Sequence, residues 1–262
     1  MDKRIIAITG ASSGIGRALA LSYAGEGNHL ILAALGQAEL EKTAEACREK
    51  GSETTVIEFD LSKPESVKSF TDSIAAKHNH LDRLIHVSGI SQRSRAEEAP
   101  IDVDRKIMEI NYFGAIEVTK NLLPLLKASK SAKIGVTSSI SGKFGFPLRS
   151  AYAASKFALH GFFESLRLEH YKDNISVTIM CPGRVNTPIS LSALNAQGKA
   201  QGVMDPGQAN GIPVEKCAAQ MKRAIEKNKK EVFIGGKEIL MVYFKKFIPP
   251  LFYKIARKTN PT

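Results

Sequence analysis

The sequence alternates two kinds of segment with little else between them. Short runs rich in β-branched and apolar residues are "RIIAIT", "HLILAA", "TTVIEF", "RLIHVS", "KIGVTS", "ISVTIM" and "EVFIG". Longer stretches of helical pattern separate them, such as "GRALALSYAGEG", "QAELEKTAEACREK" and "KPESVKSFTDSIAAKH". Several runs are apolar at nearly every position, which suits strands covered on both faces, as in a parallel sheet. This alternation predicts a doubly wound parallel sheet with right-handed crossovers, an α/β fold of seven strands in three α/β/α layers. With 262 residues, 43% of them apolar, the chain can bury one substantial core, and a single domain over 1–262 is expected. No internal repeat, low-complexity tract or linker interrupts the rhythm.

Composition narrows the function classes. Cys47, Cys181 and Cys217 are odd in number and scattered, without the pair spacing of a zinc site or redox couple. Free thiols in a reducing compartment are expected, and no metal. The start, "MDKRIIAITGAS", lacks the apolar core and cleavage pattern of a signal peptide, and no run of apolar residues is long enough to span a bilayer. A cytoplasmic protein is the expectation. The formal charge of +11 is uneven, because eleven Lys/Arg against three Glu fall from Lys222 onward. Basic charge alone can meet nucleic acid or an anionic membrane. No nucleic-acid-binding motif accompanies it, so nucleic acid is not expected as a partner.

Directly after the first run comes "TGASSGIG" (9–16). Gly10, Gly14 and Gly16 lack the side chains that would keep the backbone away from a pyrophosphate, and the following helix offers free N–H groups and a positive dipole end. Glycines also serve plain tight turns; at a strand-to-helix junction opening a doubly wound fold, dinucleotide binding is favoured. Further on, "AYAASK" places Tyr152 four residues before Lys156, one helical turn apart on one face. An ammonium beside a phenol favours phenolate, which makes a proton donor and acceptor for neutral pH. Two surface neighbours would show the same spacing.

Taken together, "TGASSGIG" and "SSISGKFGFPLRSAYAASK" resemble the single-domain short-chain dehydrogenase/reductase family, over about residues 4–235. The resemblance implies a Rossmann-like fold and an NAD(P)-dependent oxidoreductase. It implies Ser139, Tyr152, Lys156 and Asn111 as the catalytic set. Tyr152 would exchange a proton with the substrate oxygen, Ser139 would hydrogen-bond that oxygen, and Lys156 would lower the tyrosine pKa and hold the nicotinamide ribose. Asn111 would anchor a water linking Lys156 to solvent. Singly, Ser139 could be a turn former and Asn111 a local bonder within its helix. The same likeness implies that Gly10, Ser12, Ser13, Gly14, Ile15 and Gly16 line the cofactor phosphates. Asp60 and Leu61 would meet the adenine, with Ser62 the better candidate for a helix cap. Ser88 and Gly89 would border the cofactor. Pro182 and Gly183 would back the nicotinamide, and Val185 and Thr187 would bind its carboxamide. The small residues of "AAS" would let the cofactor lie close to the Tyr152 helix.

The chain departs from the family pattern in places. The fourth run ends "HVSG" where Asn-Asn-Ala-Gly is common, and His86 reads as a packed or hydrogen-bonded residue. The second run ends Ala33-Ala34-Leu35-Gly36, without the acid that holds an NAD ribose, so NADP(H) is favoured over NAD(H). Residues 186–213, rich in Gly, Pro, Asn and Gln, read as a substrate lid or a disordered surface loop. The basic, apolar tail at 238–262 is broken by Pro249-Pro250. It suits peripheral contact with a membrane, a dimer arm or an edge of the substrate cavity. It and residues 202–218 resemble a branch of the family that is often membrane-associated. The family likeness also implies a homodimer or homotetramer formed through the two long helices that carry Asn111 and Tyr152. The expected substrate is a small hydrophobic ketone or secondary alcohol of lipid, steroid, retinoid or 3-oxoacyl type. The alternatives are a non-catalytic dinucleotide-binding regulator and a membrane-docking protein of the same fold.

Overall fold

The strand at Arg4–Thr9 (β1) shows why these segments read as continuous apolar runs. Its Ile5 and Ala7 pack into one helical layer with Phe70, Leu122 and Phe163, while Ile6 and Ile8 pack into the other with Leu19, Leu40 and Met221. Both faces of the strand are therefore covered, and alternation of polar and apolar residues has no place. Each such buried aliphatic side chain contributes about 1.5–3 kcal/mol of transfer free energy.

In the computed structural model, which describes residues 3–259, six strands follow β1. They are β2 (Asn28–Ala34), β3 (Glu53–Glu58), β4 (Arg83–His86), β5 (Ala132–Thr137), β6 (Ile175–Pro182) and β7 (Glu231–Ile234). Their order in the sheet is β3-β2-β1-β4-β5-β6-β7, with every pairing parallel. The chain reverses direction across the sheet between β1 and β4. The crevice beyond their C-terminal ends is where doubly wound sheets place ligands. The helices are α1 (Gly14–Tyr23), α2 (Gln37–Arg48), α3 (Pro64–Ala75), α4 (Ile101–Met108), α5 (Gly114–Ala128), α6 (Ser150–Glu169), α7 (Pro206–Ala209), α8 (Val214–Glu226), α9 (Leu240–Phe247) and α10 (Pro249–Ala256). None is long and apolar enough to cross a membrane. The doubly wound, seven-stranded expectation is met. The last three residues of the expected tail, and residues 1–2, lie outside the described residues.

Three local features differ from the sequence reading. Ser62 does not cap α3: Lys63 holds that position without a side-chain bond, Pro64 starts the helix, and Ser62 turns back to donate to Asp60. Asn111 lies in a π-turn, Glu109–Phe113, that joins α4 to α5. Pro249 and Pro250 end α9 but also begin α10, where a missing N–H costs nothing.

At the N-terminal end of the sheet, the Glu226 carboxylate gathers the strand starts. Arg83 donates to both its oxygens at 2.9 Å, Tyr23 donates at 3.0 Å, and Lys133 lies 3.7 Å away. Burial alone would raise the Glu226 pKa, but the Arg83 contacts override it and hold the group at about 2.

Candidate active site

At the opposite end of the sheet lies a cavity of about 720 Å³. Its floor is the turn after β1. Gly10 has φ +74° and Gly14 φ +51°, conformations that L side chains rarely adopt. A Cβ on Gly16 would collide with the Gly10 carbonyl oxygen. The turn thus leaves a bare backbone concavity ahead of the α1 N-terminus. That shape and charge fit the pyrophosphate of a dinucleotide. Gly10, Ser12, Ser13, Gly14, Ile15 and Gly16 all line the cavity. Thr187 closes over the turn, its Cγ2 3.4 Å from where a Gly14 side chain would begin.

Asp60 and Leu61 line the same cavity. Burial raises the Asp60 carboxyl, but hydrogen bonds from the Ser62 amide (2.9 Å) and hydroxyl (2.7 Å) outweigh it, and the net shift is downward. Ser88 and Gly89 border the cavity beyond β4. Near the end of β2, Leu35 is exposed, in keeping with the missing acid, yet β3 supplies a neighbour that the linear reading overlooked. The Glu58 carboxylate accepts from the Gly36 amide at 2.8 Å, beside that strand end.

Of the catalytic candidates, Ser139, Tyr152 and Lys156 share one wall, and buried Asn111 does not line the cavity. Ser139 starts a short 3₁₀ turn; its Oγ accepts from the Ser141 amide at 3.1 Å and donates to the Pro182 carbonyl at 3.3 Å. Tyr152 and Lys156 project from the first turns of α6, whose N-terminus is capped by buried Gln92, with Oε1 2.8 Å from the Ala151 amide. Lys156 Nζ donates to the Thr137 carbonyl at 2.9 Å and lies 5.7 Å from the Tyr152 ring centroid. Burial pushes its pKa down to about 8. Asn111 ties the exit of β4 to α6: Nδ2 donates to Ile90 O (2.9 Å) and Ser155 Oγ (3.0 Å), while Oδ1 accepts from the Ile90 amide (2.8 Å). One Oδ1 lone pair remains for the expected water. A Cβ on Gly89 would meet Asn111 Oδ1 at 3.1 Å and Lys156 Nζ at 3.3 Å, a tight fit that glycine avoids.

Burial raises the Tyr152 pKa, and the Ser139 hydroxyl, then Arg149 and Arg93, oppose it. The two arginines are neighbours that the family motif does not contain. Both contact Asp205 of the segment 186–213: Arg93 Nε at 2.8 Å, and its Nη2 in a closer contact, with Arg149 Nη2 at 3.4 Å. Burial, then the nearby Arg93, pull Arg149 down to about 10.

Pro182 and Gly183 sit at the end of β6 as expected, with Gly183 held to the Ile234 carbonyl at 2.7 Å. A side chain on Gly183 would run into the Glu238 carboxylate, which accepts from the Arg184 amide at 2.8 Å. Val185 and Thr187 are tied to α7 through Gln208, which donates to the Val185 carbonyl and, at 3.2 Å, to Thr187 Oγ1. The segment 186–213 is therefore strapped down by polar contacts where a disordered surface loop was the competing reading. His86 donates or accepts at Thr119 Oγ1 (2.9 Å) under full burial, a packed histidine as read.

The tail forms a wall. Val242, Phe252 and Ala256 pack on Phe144, and Met241 and Thr259 face the cavity beside Ile140, Phe146 and Leu191. No periodicity in the tail sequence betrays this, because the contacts reach back about a hundred residues.

Residues 4–197 match the short chain dehydrogenase family. The chain is 38% identical to the dehydrogenase/reductase SDR family protein 7-like of Anopheles gambiae, covering 100% of this chain and 86% of that one. It is 36% identical to dehydrogenase/reductase SDR family member 7B of Mus musculus, over 96% of this chain and 79% of the mouse protein. A solved alcohol dehydrogenase from Thermococcus sibiricus, complexed with 5-hydroxy-NADP, superposes with a TM-score of 0.77 at 25% identity, covering 90% of this chain and 97% of the other. The glycine turn, the Ser–Tyr–Lys wall and these likenesses agree, and the chain belongs to the short-chain dehydrogenase/reductase family of oxidoreductases.

Proposed function

We propose that this chain interconverts a hydrophobic ketone and its secondary alcohol, with Tyr152 as proton donor and acceptor. One observation carries the reading: Ser139, Tyr152 and Lys156 line the same cavity as the glycine turn and an apolar wall of Ile140, Phe144, Phe146, Leu191 and Met241. When bound, the nicotinamide dinucleotide supplies or accepts the hydride. Ser139 Oγ fixes the substrate oxygen beside Tyr152, and the phenol passes its proton to that oxygen during reduction. Arg149 and Arg93 favour the phenolate left behind. Lys156 and the Asn111 turn are the route by which the proton returns. Val185 and Thr187 hold the carboxamide, and the strapped segment 186–213 covers the substrate.

The test is a panel of hydrophobic ketones with NADPH and NADH, run beside Tyr152→Phe. Loss of general acid–base catalysis predicts a fall in kcat of about 10²–10⁴-fold. Unchanged turnover in the variant would remove Tyr152 from the chemistry.

For the coenzyme, exposed Leu35 in place of an acid favours NADP(H). Glu58 at the Gly36 amide favours the second reading, NAD(H), since its carboxylate can hold ribose hydroxyls and repel a 2′-phosphate.

The outer face of the tail supports peripheral membrane contact. Leu240, Tyr243, Phe247, Ile248 and Tyr253 are exposed there amid Lys245, Lys246 and Lys254. Co-sedimentation with anionic but not neutral vesicles is expected, and equal recovery with both would defeat the electrostatic part. Exposed Phe113 and Phe157 beside the two long helices support a homodimer or homotetramer, which light scattering reads directly.

A further inference from the structure

Outside the cavity lining, three metal-ligating side chains from different elements meet. His160 comes from α6, Cys181 from β6 and Glu231 from β7, and one ligand atom of each lies within 4.8 Å of the others. The two closest pairs are His160 Nδ1 to Glu231 Oε1 at 3.4 Å and Cys181 Sγ to the same oxygen at 3.7 Å. His160 is 7% exposed and Cys181 fully buried.

Ser138 Oγ lies 3.1 Å from the Lys156 carbonyl and 2.9 Å from His160 Nε2; in the tautomer in which it donates to the carbonyl, Nε2 carries the hydrogen and Nδ1 presents a lone pair. Among the described residues Nδ1 has no hydrogen-bond partner, and Glu231 is the nearer of the two carboxylates that face it, with Glu164 at 3.8 Å. In that tautomer two lone-pair-bearing atoms face each other across 3.4 Å, a gap that a cation would bridge. Lys143 reaches Glu231 Oε1 at 2.6 Å from a partly exposed position and supplies positive charge to the carboxylate only.

We propose that His160, Cys181 and Glu231 form a binding site for a zinc-class divalent cation, one residue along the chain from the Ser139–Pro182 contact. Nitrogen, sulfur and oxygen donors suit that ion, and three protein ligands leave a fourth position for water. Ser138 provides the outer hydrogen bond that fixes the imidazole, as such ligands require. Binding converts the Cys181 thiol to a zinc thiolate with release of one proton, and it displaces the Lys143 ammonium from Glu231. The half-buried Lys143–Glu231 pair marks the entry path. Because Cys181 precedes Pro182, whose carbonyl accepts from Ser139, an ion there fixes the backbone behind the catalytic hydroxyl.

The experiment uses the full chain, stripped with a chelator and titrated with cobalt(II), then with zinc(II) in competition. One equivalent of cobalt giving a thiolate-to-cobalt charge-transfer band is expected. His160→Gln, Cys181→Ser and Glu231→Gln each weaken zinc binding more than tenfold, Ser138→Ala about tenfold, and Cys217→Ser leaves it unchanged. Lys143→Met, which removes the competing ammonium, strengthens it. The proposal is overturned if no such band forms, if the band survives in Cys181→Ser, or if Lys143→Met fails to bind more tightly. If His160→Gln or Cys181→Ser fails to fold, the more exposed Glu231→Gln and Lys143→Met decide. None of these readouts depends on the identity of the carbonyl substrate.

Discussion

The two ends of the sheet are each tied by one carboxylate shared among cations, and the two knots serve different ends. At the N-terminal edge, Glu226 on α8 binds Arg83 and Lys133 at the starts of β4 and β5 and receives the Tyr23 hydroxyl from α1. At the C-terminal edge, Asp205 in the segment before α7 binds Arg93 and Arg149 beside Tyr152. The first knot joins elements that the core already holds together, so it adds stability. The second holds down a segment with little core of its own, so it adds position. A buried ion pair is a poor guide to purpose until one asks what else holds the elements it joins.

That contrast can be broken by substitution. Glu226→Gln leaves Arg83 buried without its partner, and a loss of about 3 kcal/mol is expected, with kcat of the folded fraction unchanged. Denaturant titration beside an activity assay checks this. Acid should reach the same knot. The Glu226 pKa is about 2 in the folded chain against 4.5 in the unfolded one, so its contribution is complete above pH 4.5 and disappears as pH falls toward 2. The wild-type chain should lose on the order of 2–3 kcal/mol over that window, and Glu226→Gln should not. If both lose stability in parallel, another carboxylate governs acid unfolding.

Asp205→Asn sharpens the other half of the contrast. The segment 186–213 should open locally while the sheet stays folded, raising KM about tenfold and amide exchange in that segment, with a smaller change in global stability. A variant that loses global stability as Glu226→Gln does, at unchanged KM, would make the two knots equivalent. The smallest effect belongs to Glu58→Gln, expected to raise the NADPH-to-NADH ratio of kcat/KM a few-fold, on the order of 1 kcal/mol. An unmoved ratio would take Glu58 out of coenzyme choice.

Much of this was legible before any coordinates. All seven strands fall within two residues of the runs read from the sequence, because buried parallel strands write their environment at every position. The glycine turn was legible because backbone approach and positive φ exclude other residues over a span of seven. Other features were hidden by distance along the chain. Arg93 and Asp205 are 112 residues apart, and neither stands out from an ordinary surface charge. Glu58 belongs to the wrong strand for a linear rule, and only the pairing of Ala34 with Glu58 brings it to the coenzyme end. The cysteine reading looked for paired spacing, so a site assembled from α6, β6 and β7 left no local trace. Ser62 misled because a serine before Lys-Pro can accept from the N–H groups of the helix end or donate to the Asp60 carboxylate, and the Asp60 contact won.

The placement of Met241 and Thr259 on the cavity wall has a consequence for how the chain comes into being. A ribosome delivers the nucleotide cradle early and the enclosing hydrophobic flank late. Trimming by a protease at the far end would accordingly widen what the pocket admits while leaving its grip on the coenzyme intact.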